Sequence, residues 1–198
     1  MRSNRLLGAA LGLGATLVTM AAVLGNSEPT ALDRRIRKRA RRGPRIRRAA
    51  VIVGSPGYPA LYFPISAGLA WWIHRRGLHG ARLIVAAAVG GWATHRAVKL
   101  FVHRRRPRTM RGRSNEFEAF PSGHTTAATA IALTTAYVLT RQGAVDSLDA
   151  FGVGVGVPIL MGTCRVAADE HWTTDVIGGW IGGAAVAAAA ASLFEQEL

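Results

Sequence analysis

The chain of 198 residues contains little cysteine and little acid. Its single cysteine, Cys164, excludes an internal disulfide and a cysteine-based metal site and leaves the redox compartment open. Eleven Asp and Glu residues stand against 25 Lys and Arg residues, which gives a formal net charge of +14. Such an excess is compatible with nucleic-acid binding, but here the basic residues lie between apolar runs without interleaved aromatics. We therefore predict that the protein does not bind nucleic acid.

The chain also lacks a linker long enough to divide it, and it has no repeat beyond its richness in alanine and glycine. Hydrophobic residues make up 49% of the sequence and gather into long runs. A helix of about 20 apolar residues is long enough to cross a bilayer. We predict one all-α, membrane-embedded domain over residues 1–198, an integral helical bundle with about six transmembrane helices. The predicted spans are residues 6–25, 49–73, 81–102, 125–140, 151–168 and 175–194.

Two N-terminal segments bear on the topology. Residues 6–25 carry no charge and predict a first transmembrane helix. The alternative is a signal peptide, because Arg2 and Arg5 precede the run, but the run exceeds the usual ~7–15 apolar residues. Residues 33–48 contain ten basic residues and one acid, which predicts a basic interfacial loop, either solvated or lying as a helix on anionic headgroups. Residues 49–198 then form the helical core.

Ionisable residues collect at the ends of three predicted spans, where a charge indicates function. Lys99 and Arg106 are seven residues apart. If the third helix continued to Pro107, both side chains would lie on one face and could reach the same anion. Basic side chains at a helix end can also simply anchor the helix at the membrane surface.

The second cluster stands at the start of the fourth predicted span. Ser122 is placed to cap that helix, whose free N–H groups and positive dipole end form an anion site. Gly123 has no side chain, so an oxygen can approach its backbone closely. His124 would then stand over the bound anion. This arrangement predicts anion binding next to a group that can transfer a proton.

The third cluster precedes the last span. His171 and Asp175 are four residues apart, which predicts neighbours on one helical face, and the carboxylate can accept the proton of one ring nitrogen. Arg165 adds a cation. A metal site is an alternative, but convincing ligands are few and the surrounding cations would repel a metal ion. Together the three clusters predict a site for a phosphate group and for proton and covalent chemistry on it, without a metal.

Read in order over about 75 residues, the three clusters resemble the signature of the type 2 phosphatidic acid phosphatase family. The wider superfamily also contains bacterial acid phosphatases and vanadium haloperoxidases. The predicted helix order is similar to that of the integral-membrane lipid phosphatases. One position departs from the family's motif: the family usually has serine where this chain has Cys164, and a thiol is a weaker hydrogen-bond donor than a hydroxyl group. The matching residues are Lys99, Arg106-Pro107, Pro121-Ser122-Gly123-His124, Arg165, His171 and Asp175.

The resemblance implies hydrolysis of a phosphate ester without metal or cofactor. His171 would be the nucleophile that forms a phosphohistidine, and Asp175 would fix its tautomer. His124 would protonate the leaving alkoxide and then activate water. Cations and N–H groups would hold the non-bridging oxygens in place of a metal. The implied phosphate ligands are Lys99, Arg106, Ser122, Gly123 and Arg165.

The distribution of charge predicts the side of the membrane on which the site lies, and the resemblance implies the class of substrate. With six spans, the larger share of the basic residues lies on the same side as the three motifs, so the positive-inside rule favours a cytoplasmic active site in a bacterial plasma membrane. Many relatives face outward instead. The implied substrate is a lipid phosphate monoester or diphosphate of lipid metabolism or cell-wall biogenesis, namely phosphatidic acid, phosphatidylglycerol phosphate, a polyprenyl (di)phosphate or decaprenyl-phosphoryl-phosphoribose.

Two other functions are alternatives for the same set of residues. A non-catalytic binder or transporter of phosphorylated lipids could use the same cations, but it would not require His124, His171 and Asp175 together. Oxidative chemistry on vanadate is disfavoured, since the haloperoxidases are soluble and much longer. Four further histidines match no motif and are expected to be interfacial or packing residues: His74, His79, His95 and His103.

Overall fold

The computed structural model describes residues 1–25, 27–40, 43–110 and 112–198, and these residues form eight α-helices and no β-strand. The all-helical prediction is confirmed. Six helices are long and correspond to the six predicted spans, and two short ones lie between the first two of these. The helices are α1 (Arg2–Leu24), α2 (Ala31–Ala40), α3 (Pro44–Val53), α4 (Pro59–Arg75), α5 (Ala81–Phe101), α6 (Gly123–Arg141), α7 (Ser147–Ala167) and α8 (Thr173–Glu197).

The long helices differ in how apolar they are. In the described part of the chain, α1, α7 and α8 are long and apolar enough to cross a membrane by themselves. α5 carries charged and imidazole side chains near its C-terminus, and α6 buries several threonines inside the bundle, so both helices are less apolar. His95, Lys99 and the buried threonines face the bundle interior, whereas Arg96 of α5 is 51% exposed.

Two local predictions need correction. The basic segment 33–48 is not a loop, because α2 and α3 cover most of it, while Arg41 and Arg42 lie outside the described residues. The alternative of a surface helix describes it better. α5 ends at Phe101, where Val102 becomes extended (φ −117°, ψ 114°). The third helix does not continue to Pro107, so Lys99 and Arg106 do not share a helix face.

Glycines on α8 allow it to pack closely against α6. A Cβ added to Gly179 would lie 2.9 Å from the backbone oxygen of Ser122, and one added to Gly183 would lie 2.5 Å from that of Thr126. Close approach of this kind is the expected use of small residues between helices in lipid. One turn earlier, the N–H of Ser122 donates to the backbone oxygen of Asp175 (3.0 Å). The glycines thus bring the second and third motifs together.

The short helices α2 and α3 lie against the end of the bundle where the motifs meet. Asp33 of α2 contacts Arg104, which follows α5. The backbone oxygen of Ala50 on α3 accepts a hydrogen bond from Nη2 of Arg165 on α7 (3.3 Å). At the start of the chain, the hydroxyl groups of Ser3 and Ser192 are 2.9 Å apart and connect α1 to α8.

Candidate active site

A cavity of about 300 Å³ lies at this end of the bundle, and residues of all three motifs line it. Stretches that are far apart in the sequence therefore converge as predicted. The predicted site residues on its wall are Lys99, Arg106, Gly123, His124 and His171. Three further predicted residues are fully buried beside lining residues instead of on the wall: Ser122, Arg165 and Asp175.

His171 presents an unprotonated nitrogen in this cavity. Its Nε2 is 3.0 Å from Nη1 of Arg106. Because a guanidinium group only donates hydrogen bonds, Nε2 must accept, and the proton of the neutral ring therefore sits on Nδ1. Nδ1 faces the carboxylate of Asp175, at 3.5 Å from Oδ2. This carboxylate favours the same tautomer.

Burial and positive charge keep the His171 ring neutral. Burial lowers the pKa of His171 well below its usual range, and the charges of Arg106 and Lys99 lower the pKa further. A ring that stays neutral keeps the lone pair on Nε2 available over a wide range of pH. A nucleophilic imidazole requires this state.

The contact between His171 and Asp175 is present, but its local structure differs from the prediction. α8 begins at Thr173, so His171 lies in the preceding turn and not on a helical face shared with Asp175. Oδ2 of Asp175 accepts the backbone N–H of Trp172 (2.8 Å), as in a capping box. This hydrogen bond holds the carboxylate at the helix start, where the same oxygen faces the His171 ring.

His124 is the second residue of α6 and lines the cavity. The ring of Tyr58 meets it edge-on, with 4.3 Å between ring centroids. A Cβ added to Gly57 would lie 2.6 Å from Cδ2 of His124, so the backbone there packs directly on the ring. Nε2 of His124 is buried and has no hydrogen-bond partner among the described residues. A buried polar atom without a partner on a cavity wall is available to a ligand.

Ser122 occupies the N-cap position of α6, as predicted, but its side chain does not cap the helix. It is fully buried, and its Oγ accepts a hydrogen bond from Oγ1 of Thr125 (3.0 Å). A Cβ added to Gly123 would lie 2.9 Å from the ring of His95. The absence of a side chain at Gly123 therefore makes room for His95 and leaves the helix N-terminus on the cavity wall.

Arg165 is fully buried and is held by two acceptors. Its Nη1 donates to Oε2 of Glu170 (2.8 Å), and its Nη2 donates to the backbone oxygen of Ala50. Glu170 lines the cavity, so an anion that displaced this carboxylate would reach Arg165. Cys164 is also buried and is not among the lining residues.

His95 lines the cavity, contrary to the expectation that it lies outside the site. Its Nδ1 is 3.0 Å from the backbone oxygen of Gly91. Since a carbonyl only accepts, Nδ1 carries the proton when the ring is neutral, and Nε2 remains an acceptor next to Gly123. The sequence does contain a signal for this residue, because His95 and Lys99 are four residues apart and so share a face of α5.

A buried ionic network behind Asp175 was not predicted. Arg104 donates from Nη1 to Oδ1 of Asp175 (2.5 Å) and from Nη2 to Oδ2 of Asp33 (2.8 Å). The side chains of all three are 0% exposed. Burial acts to raise the pKa of Asp33, but N–H groups of Thr174 and Thr30 and the charge of Arg104 together lower it below the usual value. Asp33 is therefore a buried carboxylate.

The fold and the cavity define a class of protein: an all-helical membrane protein with a cationic site, lined by three histidines, at one end of its bundle. Within the described residues, no group of three His, Cys, Asp or Glu side chains is placed to hold a metal ion. The sequence profile of the PAP2 superfamily matches residues 79–197, more than half of the chain and all three motifs. The protein belongs to this superfamily, and the resemblance seen in the motifs is confirmed.

Two solved structures share the fold. One is the first transmembrane PAP2-type phosphatidylglycerolphosphate phosphatase from Bacillus subtilis, with a TM-score of 0.80, 21% identity, and coverage of 94% of this chain and 96% of that one. The other is LpxE from Aquifex aeolicus, with a TM-score of 0.62, 21% identity, and coverage of 87% and 99%. No curated protein matches the sequence. The shared fold, together with three helices long and apolar enough to cross a membrane, confirms the helical membrane bundle.

Proposed function

We propose that this protein hydrolyses the phosphate ester of a membrane lipid, without a metal, through a phosphohistidine on His171. One observation supports this most directly: Nε2 of His171 carries a lone pair and lies 3.0 Å from Arg106 in a cavity that also contains Lys99 and His124. A nucleophile, cations and a second imidazole are the groups that phosphoryl transfer requires.

In the first step, Nε2 of His171 attacks phosphorus in line, and the bond from phosphorus to the lipid oxygen breaks. His124 donates a proton to that oxygen, which leaves as an alcohol. In the second step, His124 takes a proton from water, the water oxygen attacks phosphorus, and the phosphorus–nitrogen bond breaks to release inorganic phosphate. Asp175 stabilises the positive charge that develops on the His171 ring.

Phosphate oxygens would be held by Lys99 and Arg106 on the wall and by the N–H of Gly123. Ser122 and Arg165 complete the proposed set. Arg165 becomes available when substrate phosphate replaces Glu170 as its partner. These fixed donors neutralise the charge spread over the non-bridging oxygens of the transition state, which a metal ion neutralises in other phosphatases.

The substrate is proposed to be a lipid phosphate in a bacterial plasma membrane that all six long helices cross, with the active site on the cytoplasmic side. A site at the helix ends lets a lipid keep its tail in the bilayer while its phosphate enters the cavity. The similar Bacillus subtilis protein is a phosphatidylglycerolphosphate phosphatase, which favours a glycerophospholipid phosphate among the candidates. Phosphate release from purified protein separates this proposal from a binder or transporter.

Replacing Lys99 by methionine is expected to lower kcat by about 10²–10³-fold, the usual cost of removing one preorganised donor to a developing charge. Phosphate release from phosphatidic acid in detergent micelles measures this. Arg82→Gln is the matched control, since Arg82 lies on the same helix, is 75% exposed and pairs with Glu197. If the Lys99→Met enzyme were as active as the Arg82→Gln enzyme, Lys99 would not be a phosphate ligand.

After chelation of divalent metal, the rate of phosphate release is expected to stay within about twofold of the rate of the untreated enzyme. The reason is that side-chain cations supply the charge that a metal would supply. Phosphate release is measured after dialysis against EDTA and again after Mg²⁺ is added. Vanadate, which mimics the phosphoryl group, should inhibit under both conditions. Activity that disappears with EDTA and returns with Mg²⁺ would contradict the mechanism.

A further inference from the structure

A second cavity, of about 250 Å³, adjoins the proposed active site. The two cavities share part of their walls, and the shared residues are Met110, Arg113 and Glu170. Most of the remaining wall comes from one face of α3, whose residues recur at helical spacing: Pro44, Arg47, Arg48 and Val51. The basic helix between α2 and α4 therefore turns one face towards a space next to the catalytic residues.

Three arginines give this second cavity an unbalanced positive charge. In the described part of the chain, Arg47, Arg48 and Arg113 form no ion pair with a carboxylate, and Nε of Arg47 is buried without a hydrogen-bond partner. The acid on the wall, Glu170, is already paired with Arg165 at 2.8 Å. Guanidinium groups without carboxylate partners match the geometry of a phosphate group.

We infer that this second cavity binds another phosphate group of the substrate's own headgroup, so that the preferred substrate carries two phosphates a few bonds apart. This inference rests on the proposed function and narrows its substrate class. The cavity of about 250 Å³ has room for a phosphate group. The shared wall lets a group linked to the reacting phosphate enter the second cavity directly.

The position of α3 relative to the catalytic site supports the same conclusion. Nη2 of Arg165 donates to the backbone oxygen of Ala50 (3.3 Å). A Cβ added to Gly54, just after α3, would lie 2.0 Å from the same Nη2, so the chain packs tightly on Arg165. The part of α3 that carries Arg47 and Arg48 therefore has a fixed position relative to Arg165. A site that binds two linked phosphates requires such a fixed distance between its two sets of ligands.

The test compares two lipids with the same acyl chains in the same mixed micelles: phosphatidic acid, with one phosphate, and phosphatidylglycerol phosphate, with two. The wild type is expected to prefer the second lipid. In an Arg47→Gln/Arg48→Gln variant, the ratio of the two kcat/KM values should fall by roughly 10–100-fold, because charge-assisted hydrogen bonds to one substrate are lost. Arg45→Gln, on the exposed part of the same helix, should keep the wild-type ratio.

Several results would overturn the inference. The ratio of the two kcat/KM values could stay within about twofold of the wild type in the double variant. Alternatively, Arg45→Gln could lower the ratio as much as the double variant does, which would mean that general surface charge sets the preference. Weaker inhibition by inorganic phosphate with an unchanged ratio would mean that the cavity takes released phosphate. If the wild type hydrolysed neither lipid, the glycerophospholipid substrate would be wrong, and the relative binding of the two lipids to the same variants would still test the second cavity.

Discussion

Substitution of His171 by alanine or glutamine is expected to reduce phosphate release to background, a loss of about 10⁴-fold or more. The reason is that, within the part of the chain that the structure describes, no other imidazole in the cavity has its free nitrogen beside Arg106 and its second nitrogen facing a carboxylate. Glutamine keeps a polar group of similar reach but cannot form the bond to phosphorus. The expected loss is therefore the same for both substitutions, and binding of the lipid should persist.

A lipid labelled with ³²P in the reacting phosphate allows the intermediate to be trapped. Wild type should carry a base-stable, acid-labile label, and His171→Ala should carry none. In His124→Gln the label should form more slowly, because the leaving oxygen is not protonated, and should then persist, because water is not activated. Label should also form at about pH 6, since burial lowers the pKa of His171 and the ring stays neutral below the usual value of about 6.5. His103→Ala, at an exposed position outside the cavity, is the control. Normal turnover by His171→Ala would end the phosphohistidine proposal.

The helices could be predicted because hydropathy reports directly on long apolar runs. The spacing of Gly179 and Gly183 likewise indicates close helix packing, and the structure shows it. The end of α5 was not predictable in the same way. The run from Lys99 to Arg106 contains no glycine, and Pro107 stands only at its end, so no residue within it marks a helix stop at Phe101.

The motifs identified the reacting groups but not the residues that hold them. His103 to Arg106 reads as a basic stretch in which nothing distinguishes the buried Arg104 from the exposed Arg105. Asp33 is the one acid in a segment of ten basic residues, and composition assigns such a segment to the surface. A buried charge is stable only with a partner, and the partner lies far away in the sequence, so no local pattern reveals the pair.

Replacing Arg104 by methionine is expected to lower both stability and catalysis. The change leaves the carboxylates of Asp33 and Asp175 buried without their shared cation, which typically costs about 3–5 kcal/mol in the free energy of unfolding. It also frees Oδ1 of Asp175, and a small shift of that carboxylate away from His171 should reduce kcat by about 10²-fold. Arg105→Gln is the matched control, because Arg105 is 57% exposed and pairs with Glu116.

A second variant separates positioning from stability. Adding Asp33→Asn to Arg104→Met removes one of the two uncompensated carboxylates, so part of the unfolding free energy should return. The Arg104 contact with Asp175 remains absent, so kcat should stay low while KM changes little, because the phosphate ligands are intact. Recovery of kcat in step with stability would mean that Arg104 only holds α2 on the bundle. A kcat that stays low in the more stable double variant would show that Arg104 acts on His171 through Asp175.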